Sequence, residues 1–366
     1  MATVLMPALL ASFGSSSVLL GIIEGLADGT ASFAKLFSGF YSDRLERRKP
    51  LAFVGYLFTA CGMASFGLAH TSWQVLVGRT LGWLGRGVRS PVRKVLLVEA
   101  TTPSTVGRAM GFERGLDSAG AFMGPLLALF LVHQVGLQRT FFCTFAPGLL
   151  AVLAIAVLVR ERSHTPAPAR SFKLTLGALP RDFRRFVGAV TIAGLGDFSN
   201  TLLILWATEA LRPTFGLVRA AERAALLYVG YNIVYMLSCF VVGHLADRIN
   251  KRSLLAVGYA MATLPALGLL WPSASLQKFA FVFAASGLYM GVWETVESAV
   301  AATLLPAEVR GTGYGVLDTA NGIGDVVSSM LVGVLWAFSP TLAMGWVIAT
   351  SLLGATLLLR LPAATA

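Results

Sequence analysis

Gly39-Phe-Tyr-Ser-Asp43-Arg44-Leu-Glu46-Arg47-Arg48-Lys49 closes one long apolar segment just before another opens at Leu51. The pattern returns as Gly243-His-Leu-Ala-Asp247-Arg248-Ile-Asn250-Lys251-Arg252. In each copy a glycine stands four residues before an Asp-Arg pair, and two more cations begin three residues after that Arg. The glycines are 243 − 39 = 204 residues apart, the length of about six membrane crossings and their loops at ~20 residues per helix. A block of that length, punctuated twice by the same charges at the same place, marks two related halves.

Composition agrees. Hydrophobic residues make up 56% of the chain and charged residues 13%, against roughly a quarter charged in soluble domains, so the main solvent is a bilayer. The formal net charge of +11 does not point to nucleic acid, because the cations gather in alternate loops. Cys61, Cys143 and Cys239 stand singly in apolar segments with no metal-ligand spacing, which reads as packing and implies no metal and no cofactor. The first residues lack the cationic start and small-residue cleavage pattern of a signal peptide, so the first crossing is expected to direct the chain to the membrane.

Taken in order, the chain is expected to hold about twelve transmembrane helices. Helix 1, over 1–14, is short or truncated. Helices 2 to 6 follow at 18–41, 51–69, 73–98, 106–135 and 139–159. A Pro-broken, basic stretch separates them from helices 7 to 12 at 186–210, 224–246, 254–270, 278–305, 313–338 and 341–359. The fold class is therefore an all-α membrane protein of two pseudo-symmetric six-helix bundles around a central cavity: 1–162, then a cytoplasmic central loop at 163–185, then 186–366. That loop is either a solvated tether or an interfacial segment drawn to anionic headgroups. Arg44, Arg47, Arg48, Lys49, Arg108, the run from Arg160 to Arg185, Arg248, Lys251, Arg252, Arg310 and Arg360 fall on one side, and only Arg139, Arg212, Arg219, Arg223 and Lys278 on the other. The rule that cytoplasmic loops are cationic puts the first set, and both termini, inside a cell membrane, the bacterial inner membrane being the expected one.

The two charged loops resemble the signature of the major facilitator superfamily of membrane transporters, placed between helices 2 and 3 and between helices 8 and 9. The resemblance implies that Asp43 and Asp247 face the positive N-terminal ends of neighbouring helices and form a cytoplasmic charge latch. Gly39, Arg44, Arg47, Arg48, Gly243, Arg248, Lys251 and Arg252 belong to the same gate, with Arg108 and Arg310 as the cationic partners. One departure stands out: where the family has Gly three residues after the Asp, this chain has Glu46 and Asn250. Glu tolerates positive φ badly, so the first turn is expected to be built differently or to carry strain.

Helix 4 carries Arg79-Thr-Leu-Gly82-Trp83-Leu-Gly85-Arg86-Gly87-Val-Arg89-Ser-Pro-Val-Arg93. It resembles the superfamily's helix 4 motif, with Gly82-Trp83 in place of the usual polar-Gly pair. Positions 79, 82, 86, 89 and 93 lie within a sector of ~80°, and such a face cannot meet lipid because each charge there costs at least ~2.5 kcal/mol. Arg89, Arg93 and Lys94, near the end, are expected to snorkel, while Arg79 and Arg86 lie deeper. Gly120-Ala-Phe-Met-Gly124-Pro125 resembles the start of the antiporter motif of helix 5, although Ala128 and Leu129 replace its next glycines. Glu24, Asp28, Asp117, Asp197, Glu294, Glu297 and Asp318, with Asn200 and Asn321, populate faces that a six-plus-six bundle turns inward. An acid between Arg79 or Arg86 and an opening cavity can titrate near neutrality, which is what proton coupling requires.

The expected function is proton-coupled secondary transport of a small solute by alternating access, with efflux of a drug or metabolite preferred to uptake. The alternatives are uptake or facilitated diffusion of a small organic anion, and a non-transporting sensor or assembly component that keeps the fold. No Gly-x4-Gly-Lys-Ser/Thr loop and no catalytic triad pattern occurs, so neither direct ATP coupling nor an enzyme is expected. The partners implied are the solute, protons and lipid, with a single copy as the default assembly.

Overall fold

The computed structural model describes residues 2–14, 17–161, 166 and 171–361. Much of the expected central loop, 163–165 and 167–170, lies outside the described residues. Among those described there are helices and connections but no strand. The first half contains α1 (Ala2–Ser12), α2 (Ser17–Ser42), α3 (Lys49–Ala64), α4 (Ser72–Glu99), α5 (Val106–Val135), α6 (Leu137–Cys143) and α7 (Phe145–Leu158). After a short α8 (Phe172–Gly177) come α9 (Arg181–Gly194), α10 (Asn200–Phe215), α11 (Leu217–Ala246), α12 (Lys251–Met261), α13 (Thr263–Leu270), α14 (Leu276–Leu304), α15 (Arg310–Phe338) and α16 (Pro340–Leu359).

Three helices expected to be continuous are broken. Pro147 and Pro265 cannot donate to the carbonyls four residues earlier, Cys143 and Met261, and those are the last residues of α6 and α12. The expected helix 7 starts earlier than 186, at Arg181, and breaks over 195–199, where the Ser199 hydroxyl caps α10 by accepting from Leu202 N at 3.4 Å. The charged run Arg181–Arg185 is thus helical rather than loop. The segment before it is also ordered against α2: Phe172 of α8 stacks on Phe37 (5.6 Å between centroids) and meets Phe40 edge-on (5.0 Å). A free tether is excluded for that part.

Among the described residues, eight helical stretches are long and apolar enough to cross a membrane. α2 and α4, which carry the charged residues singled out above, are not among them. The α6–α7 stretch has only 11% of its most apolar window buried, whereas α14 has 61% of its own buried, so the former faces solvent, here lipid, and the latter lies inside its unit.

By compactness the chain divides into two units: Met1–Ala100, Met123–Leu179 and Leu305–Thr319, and Thr101–Phe122, Pro180–Leu304 and Ala320–Ala366. α5 and α15 are therefore each divided, their first turns grouping with helices of the other sequence half. In the first unit α4 lies on α3 through glycines: a β-carbon on Gly62 would stand 2.5 Å from Gly82 N, and one on Gly85 2.5 Å from the Gly55 carbonyl. Gly82 thus serves helix contact instead of sharing the role of the arginines on its nominal face. The second unit is built on Leu203, Trp206, Tyr231, Phe279, Phe283 and Val332, with Trp206 stacked on Trp336 at 3.8 Å.

Candidate functional site

Asp43 follows the last residue of α2 and is buried. Its carboxylate accepts from Gly311 N at 2.7 Å, Thr312 N at 2.7 Å and Thr312 Oγ1 at 2.8 Å. Asp247, at the end of α11, accepts from Gly107 N at 2.7 Å, Arg108 N at 3.0 Å and Arg108 Nε at 3.1 Å. In both cases the acceptor satisfies the second and third N–H groups of a helix, orphan donors at the positive end of its dipole. The repeat is preserved, since 247 − 43 and 311 − 107 both equal 204. Gly39 and Gly243 let the backbones meet: a β-carbon on Gly243 would stand 2.7 Å from the Gly107 carbonyl, and one on Gly39 would overlap that of Gly311.

Arg108 takes the expected place, but Arg310 does not. Its guanidinium donates to the Leu305 carbonyl at 3.4 Å, and Thr312 occupies the position equivalent to Arg108. The expected pairing of Arg108 with Arg310 was off by two residues. The turn after Asp43 is not strained: among the described residues no non-glycine has a positive φ. The loops are closed by different means. Asn250 caps α12, accepting from Arg252 N at 3.0 Å and Ser253 N at 3.3 Å. α3 is capped by Glu161, which accepts from Arg48 N and from Lys49 N at 3.0 Å. Arg48, fully buried, donates to the Ser42 carbonyl at 3.1 Å, pairs with Glu99 and lies 3.6 Å from Asp43. Arg44 lies over the Phe40 ring at 3.8 Å, while Arg47 and Arg248 are exposed and Lys251 and Arg252 begin α12.

On the helix 4 face, Arg79 Nη2 donates to both Glu24 oxygens at 2.8 and 2.6 Å, and Arg79 Cζ lies 3.3 Å from the Trp83 ring centroid. Trp83 donates its indole N–H to the exposed Asp28 at 2.6 Å, and Arg86, also exposed, lies 5.6 Å from the same ring. One aromatic residue thus organises the four charges: Arg79 and Glu24 are paired through one guanidinium nitrogen, and Asp28 and Arg86 are exposed. Lys94 does not snorkel. It is buried and pairs with Asp318 at 2.5 Å, and Ser90 donates to the other Asp318 oxygen at 2.8 Å.

In the second unit Arg114 lies 3.1 Å from Glu294, which also accepts from the Tyr235 hydroxyl at 2.5 Å. Glu297, buried one turn on, accepts from Trp293 and from Asn321 Nδ2 at 2.6 Å. Asp117 is exposed on α5. Asp197 and Asn200 stand at the α9–α10 break and line a cavity of ≈ 20 Å³ with Tyr231, Ser286 and Tyr289, room for about one water.

The sequence profile of the Major Facilitator Superfamily matches residues 1–329. The chain belongs to that superfamily. An uncharacterized MFS-type transporter of Methanocaldococcus jannaschii is 26% identical over 343 residues, 92% of this chain and 84% of that protein. Multidrug resistance protein MdtH of Escherichia coli O1:K1 is 34% identical over 120 residues, 33% of this chain and 30% of that one. Among solved structures, the Escherichia coli fucose:proton symporter FucP superimposes with a TM-score of 0.77 at 16% identity, over 99% of this chain and 95% of that one. The human organic anion transporter MFSD10 superimposes with a TM-score of 0.74 at 17% identity, over 96% and 88%. The fold is therefore the superfamily's, and the protein is an integral, multi-pass membrane protein.

In this superfamily member Asp43 and Asp247 each accept from the second and third N–H groups of a helix, α15 and α5 respectively. Sequence reading missed Trp83 as the centre of its cluster, Arg114 and Tyr235 as partners of Glu294, and Lys94 as a buried partner. The repeat held a signal for one of these, because 318 − 204 = 114 places Arg114 opposite Asp318.

Proposed function

We propose that this superfamily member is a secondary transporter that moves a small solute by alternating access, coupled to protons, with export preferred. The paired capping of α15 by Asp43 and of α5 by Asp247 carries the reading, because two non-covalent contacts repeated at one register are what a gate that forms and breaks requires. The sequence halves 1–162 and 186–366 act as the two moving bundles, and the charged loops and both termini lie in the cytoplasm. Glu24, Asp28, Arg79, Arg86, Asp117, Asp197, Asn200, Glu294, Glu297, Asp318 and Asn321 line the route or support it. Partial similarity to a protein named for multidrug resistance favours export, and the fold shared with a fucose:proton symporter is compatible with proton coupling.

Transport of a small organic anion is a second reading, favoured by the exposed Arg86 beside Trp83. Proteoliposomes separate the two. A panel of lipophilic cations and small carboxylates is assayed with and without an imposed pH gradient, for the native chain and for Arg86→Gln. Gradient-driven movement of the cations, unaffected by Arg86→Gln, supports the first reading. Carboxylate movement abolished by Arg86→Gln supports the second. Transport of any solute that ignores the pH gradient removes the coupling.

A further inference from the structure

The interruption between α9 and α10 is held in place by its neighbours. It covers 195–199, and Leu195 stands 195 − 181 = 14 residues past the start of α9 at Arg181, about 21 Å along the axis and so well inside the membrane. Gly194 and Gly196 weaken the helix at this point. Trp346 of α16 donates its indole N–H to the Leu195 carbonyl at 2.8 Å, and a β-carbon on Gly196 would overlap the Thr350 hydroxyl of the same helix. On the other flank Ser199 N donates to Ser329 Oγ of α15 at 3.1 Å. At such depth irregular backbone persists only where it is enclosed by protein or lines a cavity. Here Gly196, Asp197 and Phe198 line the ≈ 20 Å³ cavity, and among the described residues their three carbonyls accept no hydrogen bond.

The remaining walls bring more oxygens. Ser286 and Tyr289 of α14 are 8% and 7% exposed, both line the cavity, and among the described residues neither hydroxyl has a hydrogen-bond partner. Asn200 Nδ2 donates to the Tyr231 hydroxyl at 3.3 Å, which leaves the Asn200 amide oxygen as a free acceptor. The Asp197 carboxylate receives the Phe198 N–H, and the charged side chains that act on it, Asp325 of α15 and Glu294 of α14, are both acidic. Among the described residues no Lys or Arg is paired with Asp197. A carboxylate enclosed at membrane depth without a basic partner calls for a cation, and orphaned buried oxygens call for a ligand.

We infer that the α9–α10 break is a Na⁺ site, with Asp197 supplying the charge and Asn200, Ser286 and Tyr289 supplying neutral oxygens beside the unwound carbonyls. A proton on Asp197 would serve one of these oxygens and leave the rest idle; a metal ion gathers them together. Oxygen donors without His or Cys exclude the softer transition metals, and a single carboxylate balances one positive charge. A cavity with room for about one water suits Na⁺ better than the larger K⁺. The C-terminal end of α9, the negative end of its dipole, adds to the attraction. The ion would tie the break to α14, and it goes beyond the proton coupling proposed above.

The test is equilibrium binding of radioactive Na⁺ to the full-length protein in lipid nanodiscs, at fixed ionic strength, with unlabelled NaCl or KCl added as competitor. One saturable site per chain is expected, with NaCl at least about fivefold more effective than KCl in displacing the label. Asp197→Asn is expected to lower saturable binding at least about tenfold, and Ser286→Ala, which removes one neutral ligand, to weaken affinity about three- to tenfold. The melting temperature of the native chain should be higher in NaCl than in KCl, and Ser286→Ala should narrow that difference. No saturable binding, or equal binding by the native chain and a folded Asp197→Asn protein, overturns the inference. Unaltered affinity in Ser286→Ala places the ion elsewhere and overturns it equally, and that variant decides alone if Asp197→Asn does not fold. Neither a solute nor a pH gradient enters the assay, so its failure leaves the transport reading standing.

Discussion

Replacing Asp247 by Asn tests the gate at the point where its geometry is simplest. The carboxylate accepts from Gly107 N, Arg108 N and Arg108 Nε at 2.7, 3.0 and 3.1 Å. Asn keeps one acceptor oxygen and turns an amide N–H₂ toward a backbone donor. One charge-assisted hydrogen bond is lost, about 1.5–3 kcal/mol, and the favourable placement of negative charge at the α5 start is lost as well, about 0.3–1 kcal/mol. The Arg108 side chain is 52% exposed, so its ion pair adds little. The joined state is therefore weakened by about 2–4 kcal/mol, or roughly 30- to 700-fold in the opening equilibrium. Cys239 of α11 reports that opening: it is fully buried, and a β-carbon on Gly111 of α5 would overlap its carbonyl oxygen, so α5 covers it closely. In protein carrying Cys61→Ser and Cys143→Ser, when opening is fast relative to labelling, the Cys239 rate follows that equilibrium, so labelling with N-ethylmaleimide should rise roughly 30-fold or more. The melting temperature, measured alongside, separates opening from unfolding. Labelling within about threefold of native in a protein that stays folded refutes the assignment of Asp247 to a gate.

Gly243→Ala puts a β-carbon 2.7 Å from the Gly107 carbonyl and 3.0 Å from Gly111 Cα, both backbone atoms that cannot step aside. It should also raise Cys239 labelling, at a packing cost of about 1–3 kcal/mol. Arg48→Gln leaves Asp43 and Glu99 without their buried cation and should cost about 3–5 kcal/mol, read as lost expression and a lower melting temperature. Arg44→Gln, losing only a contact over Phe40 at a partly open site, should cost about 1 kcal/mol or less, and equal costs at the two positions would refute the distinction. Phe172→Ala removes the ring that holds α8 on Phe37 and Phe40, so trypsin cleavage after Lys173 should quicken by about an order of magnitude; an unchanged rate means the docking does not protect the segment.

What the sequence by itself determined was the bilayer as solvent, the helices, their duplication at an offset of 204, and Asp43 and Asp247 as equivalent positions. These are one-dimensional properties: long apolar runs, charges that interrupt them, and a period. Even there a reference point two residues out of register assigned Arg310 to a place that Thr312 holds.

The tertiary structure alone decided which charge meets which. A helical wheel places Arg79, Gly82 and Arg86 on one face, yet Gly82 packs against α3, Arg79 is enclosed with Glu24, and Arg86 remains exposed. Lys94 sits close to a helix end, where a cation normally snorkels, but Asp318 of a helix more than 200 residues away in sequence buries it. In a membrane the apolar residues face outward as readily as inward, so hydrophobic periodicity does not mark the core as it does in water. Partner choice then depends on which backbones approach closely enough, at Gly39, Gly107, Gly243 and Gly311, and that distance is a property of the assembled helices.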